Sequence, residues 1–225
     1  MANEVSMEKV KELRQRTGAG IVDCKTALQE SANDIEKAVE YIQKKGLAKA
    51  AKKAGAIAAE GAIHAYIHAG ARLGVLVEVN CQTDFVARSD DFKGYLDQVG
   101  LQIASMGPLF VRREDVPAAQ LEKQREIFSA QMEEEVAQGG KRKPPEVAAK
   151  ILDGKLDKWL TEVCLVEQVS VVDGEKTIQQ LADQLTAKLG EKIAVRRFTR
   201  YELGEGIEKQ KSDLAADVAA AISGA

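Results

Sequence analysis

The chain has 225 residues, 45% hydrophobic, 30% charged and 4% aromatic, which is long enough for one or two compact cores and too apolar to stay disordered. Lys and Arg number 32 against 35 Asp and Glu, so the formal charge of −3 gives no overall field that recruits nucleic acid or anionic lipid, although a local basic strip is compatible with that balance. Cys24, Cys81 and Cys164 show no CxxC spacing and the histidines are His64 and His68, which argues against a disulfide framework and a His/Cys zinc site.

The N-terminus lacks a basic stretch followed by an apolar one, and no apolar run approaches the ~20 residues of a membrane span. A cytoplasmic protein without membrane contact is expected. Residues 1–46 read as three short helices. Ser6 caps the first, with Val10 and Leu13 inward, and Thr17-Gly18-Ala19-Gly20 forms the turn after it. Asp23 caps the second, which carries Ala27 and Leu28. The third follows Asp34, places Ile35, Ala38, Val39 and Ile42 on one face and stops at Gly46. Residues 47–60 turn to Ala and Lys, with Lys49, Lys52 and Lys53, and read as an exposed helical connector.

From Gly61 the period switches to two. Ile63, Ala65 and Ile67 alternate with His64, Tyr66 and His68, and Gly70-Ala71 turns the chain into a second strand from Leu73 to Val79. After Asn80 to Val86, Ser89 opens a helix with Phe92, Leu96, Val99, Ile103 and Met106 inward, ended by Gly107-Pro108. A charged helical stretch over 114–138 has a thin apolar line through Leu121, Phe128, Met132 and Val136. Helix resumes after Gly139 to Pro145, with Val147, Ile151, Leu156, Leu160 and Val163 inward. Cys164 to Val172 reads as extended, and a helix with Ile178, Leu181, Leu185 and Leu189 stops at Gly190. Alternation from Ile193 to Leu203 gives a third strand able to pair with the hairpin, and residues 205–225 form a C-terminal helical module.

The fold class is therefore α+β: a three-helix N-terminal module (1–46), a helical connector (47–60), an α+β core (61–204) with a small antiparallel three-stranded sheet packed with helices, and the C-terminal helix. Catalytic chemistry has little to stand on. The histidines sit two apart on an edge-prone strand, no nucleophile motif surrounds them, and the TGAG turn joins helices where a phosphate loop follows a strand. Lys44, Lys45, Lys49, Lys52 and Lys53 could touch RNA phosphates, but they lack interleaved aromatics. Thr83-Asp84-Phe85-Val86 is the informative element. Either Phe85 tucks into the local core while Asp84 caps a turn, or the pair is presented to a partner as an aromatic anchor beside a carboxylate.

Thr17 to Leu28 (TGAGIVDCKTAL), the Lys-Ala connector, Glu78 to Arg88 (EVNCQTDFVAR) and Glu202 to Lys209 (ELGEGIEK), in this order, closely resemble members of the translation elongation factor Ts family. The resemblance implies a guanine-nucleotide exchange factor for elongation factor Tu, with no enzymatic reaction and no cofactor of its own; GDP, GTP and magnesium would belong to the partner. It further implies that Thr83, Asp84, Phe85 and Val86 enter the partner's G domain near its magnesium and phosphate site, and that the UBA-like N-terminal module, with Thr17, Gly18, Ala19 and Gly20, docks on the same domain. Gln102 stands where many members carry a partner-contacting His. Longer members duplicate the core unit, so a homodimer or a 2:2 complex with the partner is expected here. An apolar sheet face of Ile63, Ile67, Val75, Val77, Ile193 and Val195 would carry it unless the helices at 92–106 and 147–163, or the C-terminal helix, cover that face within one chain. An RNA-binding translation accessory protein using the lysine strip is the alternative, though direct nucleic-acid binding is not expected. A ubiquitin-type adaptor would leave most of the chain without a role.

Overall fold

The computed structural model describes residues 5–207. Helix α1 (Met7–Thr17) starts after Ser6, whose hydroxyl accepts from the Glu8 N–H at 3.2 Å, and ends at Gly18. Helix α2 (Ile21–Glu30) starts at Gly20, without the expected Asp23 cap. Asp23 lies instead in its first turn, where its carboxylate meets Lys49 at 3.1 Å and Lys45 at 3.2 Å. Helix α3 (Ile35–Lys53) is capped by Asp34, which accepts from the Lys37 N–H at 3.1 Å. Val10, Leu13, Cys24, Ala27, Leu28 and Ala38 form the core of these three helices.

Strands β1 (Glu60–Ile67) and β2 (Leu73–Cys81) form the hairpin. A single turn, α4 (Asp84–Ala87), leads into α5 (Asp90–Met106), which Ser89 caps by accepting from the Phe92 N–H. Helices α6 (Ala118–Ala137) and α7 (Pro145–Val163) pack on each other, with Pro145 at the first position of α7 where its missing N–H costs nothing. Helix α8 (Ile178–Leu189) opens on a Thr177/Gln180 capping box and closes at Gly190. Strand β3 (Ala194–Glu202) then pairs with β2, so the antiparallel sheet has the order β1-β2-β3. Helices and sheet together make an α+β fold. Its main core brings Val75, Val77 and Val79 of β2 against Phe92, Val99 and Ile103 of α5, with Ile178 and Val195 alongside. Each such side chain contributes roughly 1.5–3 kcal/mol on burial.

Besides the Asp23 cap, the structure departs from the sequence expectations at several places, among them Val147, which is exposed instead of inward. Helix α3 does not stop at Gly46 but continues to Lys53, and Ala50 is buried. A Cβ added at Gly46 would lie 3.2 Å from the Ala187 Cβ of α8, so the glycine marks a close helix crossing whose packing outweighs the ~1 kcal/mol propensity cost. The first part of the connector is thus the end of α3 resting on α8.

The apolar sheet face is also divided. Register pairs Ile63 with Glu78 and His64 with Val77, so His64 and Tyr66 share the inner face with Val75 and Val77, while Ile63 and Ile67 point outward at 66% and 65% exposure. Helix α5 covers the inner face within one chain. Its Met106 is exposed instead of inward. Finally, Cys164 to Val172 is not extended throughout: a 3₁₀ turn at Leu165–Glu167 follows Cys164, and Arg113 grips Glu167 and Asp157. Beyond Ile207 the expected C-terminal helix lies outside the described residues.

Candidate partner-binding site

Two short segments reach the solvent, and a third piece of chain touches both. At the exit of β2 the ladder stops: Cys81 pairs with Glu60, and the amides of Gln82 and Thr83 have no strand beside them. Both donate to Glu191 Oε2, at 3.1 and 2.9 Å, and the Thr83 hydroxyl donates to Glu191 Oε1 at 2.7 Å. The Cys81 thiol donates to the Thr83 carbonyl at 3.1 Å. Thr83 is therefore held at its N–H, its carbonyl and its side chain.

From this anchored residue the chain enters α4. Val86 and Ala87 pack against the main core, and Ser89 donates to the Val86 carbonyl at 2.7 Å. Phe85 points away from that core and is 79% exposed. Of the two readings that the residues alone left open, the tucked Phe85 is not what the fold adopts. A phenyl ring left in water forgoes the gain of burial that Val86 and Ala87 obtain on the same turn. Beside it the Asp84 carboxylate takes an ion pair from Arg88 at 2.5 Å, both side chains remaining accessible.

The Thr17-Gly18-Ala19-Gly20 turn is built from the end of α1. Thr17 Oγ1 donates to the Leu13 carbonyl at 2.7 Å and accepts from the Ala19 N–H at 3.3 Å, while Gly18 adopts φ 67°, a left-handed conformation that disfavours any side chain with a Cβ. Ile21 and Val22, directly after it, are both exposed.

Lys188 links the segments. Its aliphatic stem runs past Gly18, where an added Cβ would lie 3.6 Å from Cδ and Cε, and its ammonium meets Asp91 of α5 at 2.6 Å. Lys192 extends the link: its N–H donates to Gln82 Oε1 at 3.2 Å, and its ammonium donates to the carbonyls of Ala54 and Ala56 at 2.5 and 3.2 Å. Residues 188–192 thus touch both the TGAG turn and the loop that carries Asp84 and Phe85. Glu191 escaped sequence reasoning because its partners lie more than a hundred residues away, and only the fold brings them together.

Gln102 is elsewhere. It is fully buried; its Nε2 donates to Gln168 Oε1 and the Val169 carbonyl, both at 3.1 Å, and its Oε1 accepts from the Val171 N–H at 2.8 Å. The amide holds the loop from Gln168 to Val171 from beneath and, being buried, presents no group at the surface. Among the described residues no group of three or more His, Cys, Asp or Glu is arranged to hold a metal ion, and no helix is long and apolar enough to cross a membrane.

A family model described as "Elongation factor TS" matches residues 1–205. The chain is 53% identical over 219 residues to an elongation factor Ts of Desulforamulus reducens, covering 97% of this chain and 98% of that protein. It is 54% identical over 216 residues to the elongation factor Ts of Myxococcus xanthus, covering 96% of each, and 50% identical over 217 residues to that of Geobacter sulfurreducens, covering 96% of this chain and 98% of the relative.

Proposed function

The chain belongs to the elongation factor Ts family, and from that premise we propose that it promotes GDP release from elongation factor Tu, with Asp84 and Phe85 as the element that enters the partner's nucleotide site. The observation that carries this reading is the exposed Phe85 on a turn whose preceding residue is held at every polar group. Thr83 and Val86 fix the two ends of the wedge, one through Glu191 and the other through the core.

Exchange of this kind needs no reacting group. If the factor binds nucleotide-free partner more tightly than GDP-bound partner, closure of the thermodynamic cycle weakens GDP by the same factor, tenfold for each ~1.4 kcal/mol of difference. Magnesium holds phosphate oxygens in near-octahedral geometry and tolerates little displacement, so a rigid aromatic and a carboxylate that shift its surroundings suffice. GDP, GTP and magnesium are the partner's ligands in this scheme, and the factor is not an enzyme. Thr17 to Gly20, with the exposed Ile21 and Val22, would supply a second contact on the same partner.

A cytoplasmic setting follows from a role in translation. The outer sheet face, with Ile63, Ile67, Leu76 and Tyr201 exposed, is offered to a second copy of the chain, giving a homodimer or a 2:2 complex with the partner. Light scattering of the free protein tests this: a mass near twice 24.4 kDa supports it and the single-chain mass excludes it. RNA binding through the lysine strip has less in its favour, because Lys44 pairs with Glu40, and Lys45 and Lys49 share Asp23.

The decisive experiment is release of labelled GDP from elongation factor Tu. The Asp84→Ala/Phe85→Ala variant is expected to stimulate release at least tenfold less than the parent, in line with an anchor worth ~2 kcal/mol or more. Full stimulation by a folded double variant overturns the reading.

A further inference from the structure

We infer that Glu191 is a positioning residue for Asp84 and Phe85: it sets the direction in which the turn leaves the sheet, and thereby how much of the partner's nucleotide affinity the contact removes. This rests on the reading of Asp84 and Phe85 given above.

Beyond Cys81 the amides of Gln82 and Thr83 have left the β-ladder, and a strand end with free N–H groups in water samples several directions. One carboxylate, half-buried and delivered from the far side of the chain, takes both amides and the adjoining hydroxyl. Charge-assisted hydrogen bonds of this type are shorter and stronger than neutral ones, and three converging on two consecutive residues fix a backbone direction. Asp84 follows immediately.

Glu191 is itself held from both sides. Gly190, at φ 77°, terminates α8 and turns the chain toward β2, and Lys192 is tied to the end of α3 through Ala54 and Ala56. Contact groups must be held to within roughly 0.5 Å to act at full strength, and no other side chain grips the Gln82 and Thr83 amides among the described residues.

The chemistry distinguishes positioning from a merely electrostatic or structural role. In Glu191→Gln the amide oxygen can accept both backbone N–H groups, while its NH₂ donates to the Thr83 hydroxyl, which can accept in turn, so the geometry survives without the charge. In Glu191→Asp the charge survives, but the side chain is one methylene too short to span the same three donors. Glu191→Ala removes the grip.

The test measures stimulated GDP release from elongation factor Tu as a function of factor concentration for the three variants, each checked by thermal unfolding. Expected results are a maximal stimulation near the parent value for Glu191→Gln, and a fall of about tenfold for Glu191→Ala and several-fold for Glu191→Asp, with smaller changes in the half-saturating concentration. In the Asp84→Ala/Phe85→Ala background the Glu191→Ala loss should vanish, because there is no longer a wedge to aim. Undiminished stimulation by Glu191→Ala, or an equal loss in that background, overturns the inference while leaving the wedge reading standing. Should Glu191→Ala fail to fold, the order of the other two decides: Gln above Asp supports positioning, and Asp above Gln refutes it. If the double variant alone behaves as the parent, the reading of Asp84 and Phe85 falls first.

Discussion

Gly100 of α5 lies directly on Tyr66 of β1: a Cβ added to the glycine would stand 2.8 Å from the Tyr66 Cβ and 3.3 Å from the His64 ring. The helix therefore crosses the hairpin at the closest approach that backbone and ring allow, and α5 can press its apolar side onto the sheet. Gly100→Ala should be destabilising. The gain of ~1 kcal/mol in helix propensity is outweighed by overpacking worth roughly 1–3 kcal/mol, because a Cβ close to the backbone cannot swing aside. Thermal unfolding checks it, and a raised midpoint would show that β1 yields.

Phe85 makes the opposite prediction. Because its ring is exposed, Phe85→Ala should leave the unfolding midpoint unchanged or slightly higher, while weakening stimulation of GDP release. A stability loss comparable to the several kcal/mol of a buried Phe truncation would mean that the ring packs inside the protein in solution.

Acid stability should depend on Glu78. Its carboxylate on the outer sheet face meets Arg196 at 2.7 Å and Arg197 at 2.6 Å, and the hydrogen bond from Arg196, followed by that from Arg197, holds its pKa at about 2, below the ordinary 4.5. A depressed value means that the ionised form stabilises the fold. Its contribution is complete above 4.5 and disappears as pH falls toward 2. Glu78→Gln should therefore be less stable than the parent at neutral pH, and the gap should close across that window. An unchanged gap at the acid end would remove Glu78 from the account.

Gln102→Leu should cost stability as well. The substitution leaves Gln168 Oε1 without its donor in a buried place, which costs ~1–3 kcal/mol, and the part-buried Val171 N–H without its acceptor, which adds less because water can reach it. Denaturant unfolding checks the loss, and faster exchange of the Val171 amide locates it.

Much of this architecture can be read from local chemistry. Ser6, Asp34 and Ser89 cap the helices they precede because a side-chain oxygen close to a first-turn amide needs only short-range geometry. Gly46 misleads for the converse reason: a glycine that ends a helix and one that admits a neighbouring helix look identical until α8 is in place. Asp23 misleads similarly, since its partners Lys45 and Lys49 come from another helix. The β1 faces were illegible because both are half apolar: the Ile63 series has more aliphatic carbon, yet the register turns Tyr66 and His64 onto α5. Thr83 to Val86 stands out by composition, but Glu191, which accepts from the Gln82 and Thr83 amides, lies more than a hundred residues further on, and no sequence pattern couples residues so far apart.

The three cysteines give the molecule a set of internal clocks. Cys24 sits in the core of α1 to α3, Cys81 at the root of the Asp84–Phe85 turn, and Cys164 where α7 ends; all three are fully buried free thiols, and burial raises the pKa of each, to about 11 for Cys164. A thiol that is both hidden and protonated is inert to alkylating reagents until its surroundings open. Mass-resolved alkylation kinetics would therefore time the loosening of three separate neighbourhoods within one unlabelled, unmutated chain, and would reveal which of them a bound partner quiets.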